Sequence, residues 1–328
     1  MLYIGIDISK DTFHASGIYD PQTPFFKGRR FNNTSDGFVE FLHFIDFRSD
    51  VVMCMESTGV YGEKLCHHLH YSGYTIHVEP PQYVRRAFRL KRKNDKVDSR
   101  MIAEYAYRFA DQLHPWKPQE RLIEQIRTLL NNRELFQKER TAHKNMLKAI
   151  QAKEEQELTH YHQEAIEFLK KTIQELDEKL KKLVKCQNNS LPIEFECVLS
   201  VPGVGWQWAA NFYITTGGFQ HLNYRQLAAY LGLVPYEYDS GTSVHRKPKT
   251  DRRGSDQFRR LLYLSAISII RREGKFKQYY QAKKAEGKNG KVILNNIQNK
   301  LLKIACACVR EKKPYHEDHK SVNPLKEQ

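Results

Sequence analysis

The stretch Leu2-Tyr3-Ile4-Gly5-Ile6-Asp7 is a short apolar run that ends in a carboxylate. Its aromatic and β-branched residues predict a first β-strand over Leu2–Ile6. The run Val51–Met55 repeats this pattern and is followed by Glu56. The sequence therefore predicts two buried strands, each of which presents an acid where it ends.

Three more strands and three helices are predicted around this pair. The segments His14–Tyr19, Lys27–Phe31 and Thr75–Val78 alternate or are apolar, and Pro80-Pro81 ends the last of them. Asn33-Thr34-Ser35 can cap a helix that carries Phe38, Phe41, Leu42 and Ile45, and Tyr61–His70 is a second helix that stops at Gly73. The order is three strands, helix, strand, helix, strand, helix. It predicts an α/β domain over residues 1–115, with a mixed sheet covered by helices.

The next region, residues 116–190, is predicted to be a coiled coil. Residues 119–187 contain no Pro or Gly, and apolar residues recur at alternating spacings of three and four, which is a heptad seam: Leu169, Ile173, Leu176, Leu180 and Leu183. Two helical arms could form an antiparallel hairpin within the chain or pair with another copy. Residues 191–312 show helical patterns broken by Gly and Pro, which predicts a mainly α-helical domain, and residues 313–328 are predicted to be a flexible polar tail.

Composition narrows the class of protein. The chain of 328 residues has 53 Lys and Arg against 38 Asp and Glu, a net charge of +15. This charge favours a polyanionic partner, and nucleic acid is the first candidate. No run approaches about 18 apolar residues, so we expect no membrane span. The N-terminus does not resemble a secretory signal, and six scattered Cys fit reduced thiols in the cytoplasm rather than a disulfide scaffold.

Four carboxylates are candidates for a metal site: Asp7, Glu56, Asp95 and Asp98. The last two are three residues apart and share a face if helical. Crowded acids repel one another, and a hard cation such as Mg²⁺, with Mn²⁺ as a substitute, removes that penalty. Two such ions stabilise both oxygens that exchange in phosphoryl transfer. Each acid alone could instead be a turn former, a helix cap or an ion-pair partner.

Basic residues precede the acid pair Asp95 and Asp98, and others follow the polar segment Tyr238–Ser243. The run Arg85–Lys93 has six positive charges in nine residues, which suits a phosphodiester substrate or simply a solvated helix face. Its candidate contacts are Arg85, Arg86, Arg89, Lys91, Arg92 and Lys93. Gly203 and Gly205 lie in a turn that could hold a phosphate, as in a helix-hairpin-helix module, or could be an ordinary turn between helices.

The segment Tyr238–Ser243 is interpreted as a small polar loop. Ser240 stands beside Gly241 and could be an exposed nucleophile, although the residues alone favour a turn with a basic flank. The basic residues that follow it are further candidates for nucleic-acid contact: Arg246, Lys247, Lys249, Arg252 and Arg253.

Five separated motifs together resemble one family, the DEDD-type insertion-sequence transposases. These enzymes are related to Piv-type DNA invertases and are known as bridge-RNA-guided recombinases. The motifs are Gly5–Lys10, Glu56–Tyr61, Asn94–Arg100, Val201–Gly205 and Tyr238–Ser243, and the resemblance covers about residues 2–310 in the same order.

The resemblance implies a ribonuclease-H/RuvC-like N-terminal domain, a coiled-coil insertion and a helical C-terminal domain. It implies that Asp7, Glu56, Asp95 and Asp98 hold Mg²⁺ and that Ser240 links covalently to DNA. It also implies a dimer that assembles into a tetramer, and a structured guide RNA that pairs with donor and target DNA, so that base pairing supplies sequence choice.

Three rival functions remain open from the sequence. A RuvC-like hydrolytic nuclease, such as a junction resolvase, would use four acids and water without Ser240. An actin-like sugar kinase or ATPase is suggested by Gly5–Ser9, but no second Gly-rich phosphate loop is found. A non-catalytic nucleic-acid scaffold would need only the charge and the coiled coil.

Overall fold

The computed structural model describes residues 1–19, 26–57, 59–88, 95–153, 157–185, 190–240, 244–250 and 254–317. Only the backbone is described for residues 26–27, 95–97, 236–240 and 244–250. The chain divides into two compact units, Met1–Gln119 and Glu120–Gln328. No helix in the described ranges combines the length and the apolar character that a membrane crossing requires.

The described residues of the first unit form a five-stranded sheet and four helices. The strands are β1 (Leu2–Ile8), β2 (Thr12–Ile18), β3 (Phe26–Asn32), β4 (Val51–Glu56) and β5 (Ile76–Glu79). The helices are α1 (Ser35–Phe44), α2 (Glu63–Tyr71), α3 (Pro81–Ala87) and α4 (Asp95–Arg108), and a single 3₁₀ turn, Gly59–Gly62, precedes α2.

The sheet has the order β3-β2-β1-β4-β5. Strands β1, β2 and β3 pair antiparallel, whereas β1, β4 and β5 pair in parallel. The predicted mixed sheet is therefore confirmed. Strand β1 is longer than predicted, because its ladder with β2 continues through Asp7 and Ile8. Asp7 thus lies inside the strand rather than after it.

Side-chain alternation gives the sheet two different faces. Ile4 and Ile6 of β1 are buried in the cluster that contains Phe41 of α1 and Leu65 of α2. The opposite face packs on α4, where Cys54 of β4 is buried with Ile102 and Tyr105. The predicted cap of α1 is confirmed, since the Thr34 side chain accepts a hydrogen bond from the backbone N–H of Gly37 at 3.3 Å. This N-cap is worth about 1 kcal/mol.

The second unit is mainly helical. Its helices are α5 (Arg121–Ala152), α6 (Thr159–Val184), α7 (Ile193–Leu199), α8 (Trp206–Thr215), α9 (Tyr224–Tyr230), α10 (Asp256–Ile270), α11 (Lys275–Ala285) and α12 (Gly290–Glu311). Two strands, β6 (Pro235–Ser240) and β7 (Val244–Thr250), form an antiparallel hairpin that the sequence did not predict. The domain boundaries at 115, 190 and 312 stay a prediction.

Helices α5 and α6 of the same chain pack against each other. This is the hairpin alternative that the sequence left open. Leu169, Ile173 and Leu180 of the predicted seam are buried. Arg133 of α5 forms a two-pronged ion pair with Asp177 of α6, with N–O distances of 2.7 and 3.1 Å. A coiled coil between two copies of the chain stays a proposal.

Candidate active site

Two of the predicted acids lie on neighbouring parallel strands. Ile6 of β1 is paired with Met55 of β4, and Asp7 and Glu56 each follow this pair by one residue. Asp7 is two residues from Gly5, and Glu56 is two residues from Cys54, so strand alternation places both acids on the face that packs on α4. Both side chains are half-buried. Adjacent strands lie about 4.8 Å apart, which brings these two positions to one edge of the sheet.

Helix α4 crosses the sheet directly over Gly5. A Cβ at Gly5 would lie 2.1 Å from the Ser99 carbonyl oxygen and 2.2 Å from the Ala103 backbone nitrogen. Ser99 is fully buried, and its Oγ lies 2.9 Å from Ser16 Oγ and 3.3 Å from His14 Nδ1, both on β2. These contacts fix the first turns of α4 against β1 and β2. They also fix the position of Asp98, the half-buried residue just before Ser99.

The fourth predicted acid, Asp95, is the first residue of α4, and its side chain lies outside the described set. Among the described residues, no group of three or more His, Cys, Asp or Glu is arranged to hold a metal ion. The donors nevertheless suit Mg²⁺, because carboxylate oxygens are the ligands it prefers. The charges of Glu79 and Glu56 add to burial in raising the pKa of the Cys54 thiol, so this face carries the negative potential that a cation would neutralise.

A fifth acid on this face, Glu79, was missed by the sequence analysis. It is the last residue of β5, is paired with Glu56, and is only 7% exposed. Burial raises its pKa, and a backbone hydrogen bond from His114 partly offsets that effect. The sequence carries the same signal for Glu79 as for Glu56, because each of them ends an apolar strand.

The predicted basic run, Arg85–Lys93, begins on α3, the helix that follows β5. Arg85 and Arg86 are exposed on α3 and line an open cavity of about 610 Å³ together with Pro80, Pro81 and Gln82. The other candidates of this run, Arg89, Lys91, Arg92 and Lys93, lie outside the described residues.

Gly203 and Gly205, the two glycines predicted to hold a phosphate, have different surroundings. Gly203 has a φ of +80°, and a Cβ there would lie 3.1 Å from the Ser265 carbonyl oxygen of α10. Gly205 caps α8, and a Cβ there would meet nothing within 4 Å. Gly203 is therefore packed closely at a tight turn, whereas Gly205 is exposed.

Ser240 ends strand β6 and is paired with Val244 of β7, so it lies at the strand end rather than in the loop that was predicted. The reason is the ladder between β6 and β7, which includes Tyr238, Asp239 and Ser240. Only the backbone is described for Ser240 and for Arg246, Lys247 and Lys249; Arg252 and Arg253 lie outside the described residues.

Two family models match successive parts of the chain. Residues 4–150 match the DEDD transposase model of the IS110 type, and residues 195–281 match the model described as transposase, IS116/IS110/IS902 family. The chain belongs to the IS110 family of transposases. It is therefore an enzyme that acts on DNA, and the DEDD-type domain accounts for a ribonuclease-H-like α/β fold.

Similar proteins agree with this IS110 assignment. The pilin gene-inverting protein of Moraxella lacunata is 26% identical over 326 residues, which cover 95% of this chain and 97% of that protein. An uncharacterized protein of insertion element IS110 from Streptomyces coelicolor is 32% identical over 34% of this chain and 28% of its own length. The transposase for insertion element IS1111A from Coxiella burnetii is 27% identical over 58% of each chain. DEDD-type enzymes use divalent metal ions, which agrees with the oxygen donors of the sheet edge.

Proposed function

We propose that this IS110-family enzyme cuts and rejoins DNA at a carboxylate site made by Asp7, Glu56, Asp95 and Asp98, with Ser240 as the nucleophile. The observation that carries the proposal is the placement of Asp7 and Glu56 on neighbouring strands, on the face where α4 packs with Asp98 in its first turns. Mg²⁺, or Mn²⁺ in its place, would supply charge stabilisation to the reacting phosphate, with two ions as the expected number.

The chain's own groups then perform two transesterifications. The Ser240 hydroxyl attacks a DNA phosphorus, and a deoxyribose oxygen leaves with a proton. A hydroxyl of a second DNA strand later attacks the same phosphorus, and Ser240 leaves as its free hydroxyl. The phosphodiester energy is kept in the phosphoserine bond, so strand exchange between donor and target DNA needs no nucleotide hydrolysis.

Replacing Ser240 with alanine tests the nucleophile. We expect Ser240→Ala to lose covalent protein–DNA adducts in a denaturing gel while its affinity for DNA stays within about twofold of wild type, because one hydroxyl contributes little to backbone binding. Ser243→Ala is the matched control and should form adducts normally. Undiminished strand exchange by Ser240→Ala would refute Ser240 as the nucleophile. DNA cleavage by the wild type with no covalent adduct and no strand exchange would favour the alternative, a RuvC-like hydrolytic nuclease that attacks with water at the same four acids.

A structured guide RNA is the second part of the proposal, and it is supported by the net charge of +15 and by the IS110 family assignment. We expect a discrete folded transcript to co-purify with the full chain, identified by sequencing the bound RNA after stringent washing. A random sample of cellular RNA would contradict guidance by RNA, since the protein would then bind RNA through charge alone.

Assembly into a dimer and then a tetramer is the third part. Helix α6 supports it, because Leu158, Tyr161 and Phe168 at its start and along its outer side are 52%, 61% and 67% exposed. Tyr161 and Phe168 are seven residues apart and share one face of the helix, the spacing of a seam between helices.

A further inference from the structure

A second concentration of positive charge lies near the end of the second unit. Residues 271–313 contain thirteen Lys and Arg but only three Asp and Glu, so this short segment holds most of the chain's net charge. Lys300, Lys303 and Arg310 of α12 are all exposed and recur at spacings of three and seven. They therefore share one face of the helix.

Aromatic rings lie beside Lys300 and Lys303, whereas Arg310 donates a hydrogen bond to the Leu222 carbonyl oxygen at 2.9 Å. The Lys300 Nζ lies 3.6 Å from the ring centroid of Tyr279 on α11. The Lys303 Nζ lies 5.6 Å from the ring centroid of Tyr224 on α9, and the guanidinium of Arg225 lies 6.0 Å from the same ring. Helix α9 thus brings Arg225, and α12 brings Lys300 and Lys303, to one surface that also holds the Tyr279 ring of α11 and is here called the α12 surface.

The described Asp and Glu side chains form no ion pair with the cations of the α12 surface. Among the described side chains, no ion pair to Asp or Glu involves Arg225, Lys300 or Lys303. By contrast, Arg260 of α10 is paired with Glu134. The hydrogen bond from Arg225 and the charges of Arg225 and Lys303 lower the pKa of the Tyr224 hydroxyl, which agrees with a net positive potential at this place.

We propose that the α12 surface binds the phosphodiester backbone of duplex DNA. Ammonium groups lie against the Tyr224 and Tyr279 rings, so these rings orient cations rather than stack on bases. From Lys300 to Arg310 the helix rises roughly 15 Å, enough to follow several successive phosphates of one strand. DNA is the partner because the chain is an enzyme that acts on DNA. The surface is additional to the four acids and to the basic run before α4.

The test compares two triple variants of the full chain. We measure the affinity for two DNA duplexes of unrelated sequence and equal length across a KCl series, by fluorescence anisotropy. For Arg225→Gln/Lys300→Gln/Lys303→Gln, the slope of log K against log salt should become less steep by about 2 to 3, and by the same amount for both duplexes. The matched control, Lys171→Gln/Lys179→Gln/Lys182→Gln on exposed positions of α6, should keep the wild-type slope.

A charge-preserving variant, Arg225→Lys/Lys300→Arg/Lys303→Arg, provides a second test if the first variant folds poorly. It should retain the wild-type slope with DNA. An unchanged slope in the Gln variant, an equal change in the α6 control, a loss confined to one duplex, or a loss seen only with an RNA hairpin measured in parallel would each overturn the proposal. None of these outcomes depends on cleavage, so failure here leaves the proposed chemistry at the four acids untouched.

Discussion

Replacing Gly5 with alanine is expected to destabilise the first unit by about 3 kcal/mol and to lower its Tm by about 10 °C. The added Cβ would lie 2.1 and 2.2 Å from backbone atoms of Ser99 and Ala103. Backbone atoms of a helix cannot rotate away as a flexible side chain can, so α4 must move off β1. Thermal unfolding measures the loss, and hydrogen exchange should show reduced protection in the α4 peptide.

Gly205→Ala is the matched control for this prediction. The added Cβ meets nothing within 4 Å, and the backbone φ of −116° suits any residue. We expect a cost of no more than about 1 kcal/mol, because alanine is only a poorer helix cap than glycine. Wild-type stability and wild-type α4 protection in Gly5→Ala would show that α4 does not lie on β1 as described.

Replacing Glu56 with glutamine is expected to reduce DNA cleavage by about 10³-fold with little change in the fold. The substitution keeps the shape of the side chain and removes one anionic oxygen donor from the proposed metal site. A metal ligand contributes several kcal/mol to the transition state, and about 4 kcal/mol corresponds to a factor of about 10³. The measurement is single-turnover cleavage of supercoiled DNA across a range of Mg²⁺ concentrations.

Two controls separate metal binding from other effects of charge. Glu63→Gln removes an exposed carboxylate from the start of α2 and should cleave DNA at the wild-type rate. DNA affinity of Glu56→Gln should stay at or slightly above the wild-type value, since a negative charge is removed near the substrate. Full cleavage activity in Glu56→Gln at low Mg²⁺ would exclude Glu56 from the site.

Local patterns predicted the mixed sheet well, because strands and caps depend on neighbouring residues. The apolar runs at Ile4 and Met53 and the cap at Thr34 act over a few positions, and the structure confirms each of them. The role of Gly5 was not predictable, because the close approach of α4 involves a helix that begins 90 residues later in the chain. Only the tertiary fold shows which glycine lies beneath a helix.

The remaining differences have separate physical causes. A heptad seam buries the same side chains whether the partner helix is in the same chain or in another, so Leu180 could not decide between the two. The strands around Ser240 are short and polar, so they lack the apolar alternation that marks a half-buried strand. Glu79 ends an apolar strand as Glu56 does, so the same pattern predicts both acids.

The most direct test of the four-acid site is anomalous diffraction at the manganese edge, from crystals of the full chain grown with DNA and Mn²⁺. We expect peaks bounded by the carboxylates of Asp7, Glu56 and Asp98, with Asp95 beside them. Acids spread over separate surfaces, with manganese bound elsewhere, would contradict the four-acid site.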